Sequence, residues 1–147
     1  MSLKDKLMED LKSSMKNKDT IRKNTITMVR AAIKQIEVDE RREVADEEII
    51  QIISKQLKEK RNVIGDFKKG GREDLVDITN REIDILLEYL PKQLTREEVE
   101  KIVIETIKEI NANSMKDIGA VMKAVMPKVK GRTDGNIVSS IAKDILN

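Results

Sequence analysis

The stretch MPKVKGRTDGNIV, residues 126–138, concentrates the side chains best suited to holding an anion. From Ile118 through Thr133 there are four basic residues, Lys123, Lys128, Lys130 and Arg132, and no acid. Lys116 precedes Lys123 by seven residues, which on a helix gives the two a common face. Arg offers phosphate a planar fork and Lys a point charge, so a row of them suits a ligand with phosphates in series, the backbone of a nucleic acid. Gly131 permits the turn, and Thr133 or Asp134 caps the helix that follows. A carboxylate at that cap takes up the free N–H groups of the first helical turn and repels phosphate. Anion contact therefore falls to Lys116, Lys123, Lys128, Lys130 and Arg132.

A second basic segment runs from Lys55 to Arg72, with seven basic residues against Glu59 and Asp66. At about 100° per residue, Lys55, Lys58 and Lys69 point away from the apolar stripe of their helix and form a secondary basic face. Lys60 falls inside the stripe and is expected to stretch its ammonium to the edge of the bundle. The acid-rich VDERREVADEE, residues 38–48, lacks the glycine-bearing loop on which oxygen ligands converge, so no metal site is expected. GGRED, residues 70–74, has no phosphate-loop spacing and reads as a helix stop.

The chain has no His and no Cys, which removes disulfides, thiolate chemistry, Glu-x-x-His metal sites and the usual neutral-pH general base. No catalytic residues and no cofactor are expected. With 29 basic and 27 acidic residues the net charge is close to zero, so only local clusters carry electrostatic meaning. Phe67 and Tyr89 are the only aromatics, and both lie on helical stripes. Readers of single strands stack bases on aromatic rings, so this chain fits structured RNA better.

The elements that must position these residues are helical throughout, because apolar residues recur at three and four and no alternating pattern persists. The expectation is an all-α protein of seven helices. The first covers residues 2–17 with Leu3, Leu7 and Leu11 flanked by Met8 and Met15, and the second 19–40 with Ile21, Thr25, Met28, Val29, Ala32 and Ile36 inward. The third starts on Asp46 as N-cap and ends at Gly70 and Gly71, and the fourth stops against Pro91. Thr95 and Glu98 form a capping box for the fifth. The sixth begins at Ser114 and ends at Pro127, and the seventh buries Ile137, Val138, Ile141 and Ile145. A four-helix part, 1–94, thus precedes a small three-helix domain, 95–147. The charged amino terminus and the lack of a long apolar run lead to the expectation of a cytoplasmic chain without a membrane partner.

Several ordered runs resemble the YqeY family. They are MVRAAIK at 28–34, FKKGGREDLV at 67–76, EIDIL at 82–86, YLPKQL at 89–94, GAVMK at 119–123 and KGRTDG at 130–135. The tail also resembles that of the B subunit of the tRNA-dependent amidotransferase, although Ala124 to Val129 intervene before the turn and Arg132 and Thr133 replace commoner Lys and Ala. The resemblance implies a two-domain helical protein whose tail is related to one that contacts the body of tRNA. It brings neither a glutamine-hydrolysing subunit nor an activating domain, so a link to amidotransfer concerns tRNA association. The expected function is binding of structured RNA, tRNA foremost, through Lys116, Lys123, Lys128, Lys130, Gly131 and Arg132. The alternatives are a module docking on a translation enzyme, and a subunit associated with an aminoacyl-tRNA amidotransferase, a carbon–nitrogen ligase using glutamine.

Overall fold

The computed structural model describes all 147 residues. The chain is all-α, with seven α-helices, one 3-10 turn and no strand. It forms two compact units, Met1–Leu90 and Pro91–Asn147. No helix is long and apolar enough to cross a membrane.

The first unit contains α1 (Leu3–Lys16), α2 (Thr20–Glu40), α3 (Asp46–Lys69) and α4 (Glu73–Leu87). Its core joins Leu7 and Leu11 of α1, Ile26, Val29 and Ile33 of α2, Ile49, Ile53 and Leu57 of α3, and Ile83 and Leu86 of α4. Full burial of an aliphatic side chain of this size stabilises by about 1.5–3 kcal/mol, so this shared interior is what holds four amphipathic helices together. The inward faces are turned relative to the stripes read from the sequence. Ile26 and Ile33 lead the α2 face whereas Met28 is half exposed, and Met8 and Met15 of α1 lie open as well. Flexible Met side chains tolerate those flanking positions, where the β-branched residues fill the tight centre.

Ser2 and Asp19 cap α1 and α2, their side chains accepting the N–H groups of Asp5 and Arg22 at 3.1 and 3.2 Å. Asp46 is the first residue of α3, and Ala45 holds the cap position. The Asp46 carboxylate instead accepts the Leu3 N–H at 3.2 Å, satisfying an orphan donor at the start of α1. Helix α4 ends at Leu87, ahead of the stop expected at Pro91. The residues before the proline tighten into i to i+3 hydrogen bonds, Tyr89 N–H to Leu86 and Leu90 N–H to Leu87, because a residue preceding proline disfavours the α conformation. That tightening buries Tyr89. Its hydroxyl donates to the Asp10 carboxylate, and the Lys6 ammonium sits 5.2 Å from the ring centre. Burial foremost, and then the Asp10 carboxylate, raises the phenol pKa well above its ordinary value.

The second unit contains α5 (Arg96–Ile110), a 3-10 turn (Met115–Asp117), α6 (Ile118–Val129) and α7 (Gly135–Leu146). The three helices pack pairwise around Val99, Val103, Val121, Val125, Val129, Val138, Ile141 and Ala142. The capping box at α5 is present in both directions, with Thr95 Oγ1 accepting the Glu98 N–H at 3.2 Å and Glu98 Oε1 accepting the Thr95 N–H at 3.1 Å. Asn111 closes the helix in the left-handed conformation at φ 57°.

Pro127 does not end α6, which runs on to Val129. Proline deletes the hydrogen bond to the Lys123 carbonyl, but both residues lie on the exposed side, where water can serve that carbonyl. Continuing one more turn buries Val129 completely beside Val125. On α7 the inward residues are Val138, Ile141, Ala142 and Leu146, whereas Ile137 and Ile145 stay 37% and 38% exposed. Ala142 and Leu146 take those places because only their phase brings small and large side chains against the valine row.

Candidate nucleic-acid interface

The basic residues of the carboxy-terminal unit lie on α6 and the turn after it. Val121, Val125 and Val129 fix the inward side of α6, which leaves Lys123 facing solvent with Gly119, Ala120 and Pro127 around it. Lys130 follows Lys123 by seven residues, two turns of helix and about 10 Å along the axis. Lys116, seven residues earlier in the 3-10 turn, completes a row of three exposed lysines. None of these ammonium groups is engaged in an ion pair or hydrogen bond with the protein.

Lys128 behaves differently. Its ammonium crosses to α5, donating to Thr106 Oγ1 at 2.9 Å and Glu109 Oε2 at 2.8 Å. Thr106 is fully buried and returns its own hydroxyl proton to the Ile102 carbonyl, so Lys128 serves helix packing before any ligand. No local spacing signals this contact, because the partners lie 22 and 19 residues away.

Gly131 stands at φ +75°, a region that side-chain-bearing residues avoid, and this lets the chain reverse between α6 and α7. The turn is fastened on both sides. Its Arg132 N–H donates to the Val129 carbonyl at 2.8 Å, and the Arg132 carbonyl accepts the Leu94 N–H at 2.8 Å. Gln93 Nε2 donates to the Gly131 carbonyl at 2.8 Å, and Arg132 Nε donates to the Lys92 carbonyl at 3.4 Å. Lys92 is itself exposed. It is a basic neighbour of Arg132 that the sequence reading missed, since the PKQL run carries no periodic signal and meets the turn only in three dimensions.

Asp134 caps α7 and accepts the Asn136 N–H at 2.8 Å, so the start of that helix is occupied by a carboxylate. The Glu98 carboxyl lies below its ordinary pKa, chiefly because the Thr95 N–H and hydroxyl bind it, with smaller help from the Lys92 and Arg132 cations.

In the amino-terminal unit Lys55, Lys58 and Lys69 are exposed along α3. Lys60 does not reach open water as expected. Its ammonium is met at 3.1 Å by Glu82 of α4, with the two side chains only 12% and 17% exposed. A carboxylate one helix away gives the charge a nearer partner than solvent. The acid-rich 38–48 segment is likewise occupied internally. Arg42 grips Glu48 with two nitrogens at 2.7 and 2.6 Å and reaches Glu40 at 3.2 Å. Asp39 accepts from Gln35 at 3.0 Å, and just upstream Glu37 binds Lys4 and accepts the Val44 N–H at 3.0 Å. The Arg42 fork, foremost, draws the Glu48 carboxyl down to about 2, from an ordinary value of 4.5.

A family model described as Yqey-like protein matches residues 4–146. Three similar proteins are each named Altered inheritance of mitochondria protein 41, mitochondrial. The one from Kluyveromyces lactis is 33% identical over 131 residues, spanning 86% of this chain and 69% of the relative. The Pyrenophora tritici-repentis protein is 28% identical over 144 residues, 96% of this chain and 79% of its own length. The protein of Vanderwaltozyma polyspora is 31% identical over 128 residues, with 86% and 69% covered. These names overturn the expectation of a cytoplasmic chain, because the relatives are mitochondrial proteins by name. That expectation rested on features of the amino-terminal segment, which do not decide the compartment of a family.

Proposed function

The chain belongs to the Yqey-like protein family, and on that premise we propose that it is a helical protein that binds structured RNA, tRNA foremost. In this reading residues 91–147 form the RNA-binding unit and residues 1–90 a separate four-helix unit. The observation that carries it is the set of Lys116, Lys123 and Lys130, exposed and unpaired along α6 and the turns at its two ends, beside a connection whose shape is already held. Lysines left without an acid partner retain their full field for an external phosphate, and small residues between them let a backbone come close. Any association with a tRNA-dependent amidotransferase would then be one of tRNA handling.

The test is a gel shift with a folded tRNA transcript, comparing wild type with Lys123→Glu/Lys130→Glu/Arg132→Glu. At least a tenfold loss of affinity is expected, and steep weakening with salt in the wild type. Equal binding by the two proteins would remove the reading.

A second reading is favoured by Met8 and Met15, seven residues apart on α1 and 37% and 49% exposed. Such an open Met strip suits docking on a protein, for example a translation enzyme. Co-purification with a defined enzyme that survives nuclease treatment and neutralisation of the basic turn would support it; loss under either condition would count against it.

A further inference from the structure

The turn after α6 owes its shape to residues 91–94, and that dependence extends the interface. Gln93 Nε2 is shared between the Pro91 carbonyl at 3.0 Å and the Gly131 carbonyl at 2.8 Å. One residue on, the Leu94 N–H donates to the Arg132 carbonyl at 2.8 Å, while the Arg132 side chain returns a bond to the Lys92 carbonyl at 3.4 Å. The Leu94 side chain packs against the valine core, which anchors the whole lacing. Every one of these acceptors is a neutral carbonyl, so the turn is held without consuming the charge of Lys92 or Lys130. Glu98, whose carboxyl feels both Lys92 and Arg132, already accepts the Thr95 N–H at 3.1 Å.

Resting on the RNA-binding reading, we propose that Lys92 is a further phosphate-binding residue of this edge, and that Gln93 is the positioning residue that holds Gly131 and Arg132 in register with it. A glycine turn at positive φ is conformationally free when unfastened. Fastening it before RNA arrives removes an ordering cost from binding, and the Gln93 amide is the side chain that does so. The anionic ligand thus meets an edge made from two stretches far apart in sequence, 92–93 and 130–132.

The experiment uses the full chain and a folded tRNA transcript across a salt series, with Lys92→Gln, Lys92→Arg, Gln93→Leu, Arg132→Gln and the Gln93→Leu/Arg132→Gln pair. Lys123→Gln serves as the reference for the edge itself. Lys92→Gln is expected to lower the slope of log affinity against log salt by about one, and Lys92→Arg to restore it. Gln93→Leu should weaken binding several-fold at unchanged net charge. It should also shrink the loss caused by Arg132→Gln, a non-additivity that general loss of stability does not produce. A wild-type slope in Lys92→Gln would overturn the role of Lys92, and additive losses for Gln93 and Arg132 would overturn that of Gln93. Should Gln93→Leu fail to fold, the surface substitutions at Lys92 still decide the phosphate contact. Absent tRNA binding, or binding indifferent to Lys123→Gln, refutes the RNA-binding reading itself, and this inference falls with it.

Discussion

The α2–α3 connection and the α6–α7 connection are both rich in charge, yet they use it in opposite ways. Between α2 and α3, Arg42 is spent on Glu40 and Glu48, Asp46 on the Leu3 N–H, and the nearby Glu37 on Lys4 and the Val44 N–H. Between α6 and α7 the turn is fastened by amide and carbonyl groups, and Lys123 and Lys130 keep their charge for solvent or a ligand. Charge in the first connection builds the fold. In the second, the bonds that hold the turn, that of the Arg132 guanidinium included, end on neutral carbonyls, and that is what leaves Lys123 and Lys130 available for binding. The composition of the two segments alone does not separate these outcomes; the partners do.

If charge in the amino-terminal unit is structural, breaking a pair there should cost stability. The largest effect is expected at Lys60 and Glu82, whose side chains are mostly shielded. Glu82→Leu strands the Lys60 ammonium and should destabilise the protein by about 2–3 kcal/mol in urea unfolding. Lys60→Met/Glu82→Leu should recover most of that loss, since no unpaired charge remains. A smaller cost belongs to the other side of the comparison. Gly131→Ala forces a Cβ into φ +75° and should cost about 1–2 kcal/mol, while also weakening RNA binding through the altered turn. Substituting Gly119 on the same unit, where nothing lies within 4 Å of an added Cβ, should leave stability nearly unchanged and makes the matched control.

The smallest effect is a pH dependence. Glu48 has a folded pKa of about 2 against an ordinary 4.5, so its Arg42 fork contributes stability fully above the higher value. As pH falls from 4.5 toward 2 that contribution is lost, because protonation of the carboxyl is then favoured in the unfolded chain. The stability gap between wild type and Glu48→Gln should be constant above about pH 5.5 and should close on acidification. A gap independent of pH would mean that Arg42 and Glu48 do not hold the α2–α3 connection.

Features decided within three or four residues were legible in the sequence. The Thr95 and Glu98 capping box, the Asp134 cap and the stop near Gly70 depend only on local geometry, and each is found. Features decided by distant partners were not. Asp46 reads as a cap until the Leu3 N–H, 43 residues away, claims its carboxylate. Pro127 reads as a terminator until the burial of Val129 is seen to carry α6 past it. Stripes fix the existence of a helix but only roughly its phase, so Ile26 and Ile33 were passed over in favour of Met28. The interface shows the same limit. The pairing of Lys116 with Lys123 was read from a spacing of seven and Lys130 from its place in a basic turn, whereas the diversion of Lys128 to Glu109 and the lacing of Arg132 to Lys92 needed the packed structure.

The salt dependence of tRNA affinity tests most directly the idea that unpaired charge marks the binding edge. Three proteins should be compared: wild type, Lys116→Gln/Lys123→Gln/Lys130→Gln, and Arg41→Gln/Arg42→Gln in the α2–α3 connection. The lysine variant should lose roughly two to three units of slope in log affinity against log salt. The arginine variant should keep the wild-type slope even if it unfolds more easily. Equal slopes for wild type and the lysine variant, or an equal loss in both variants, would contradict the assignment of RNA binding to the α6 edge.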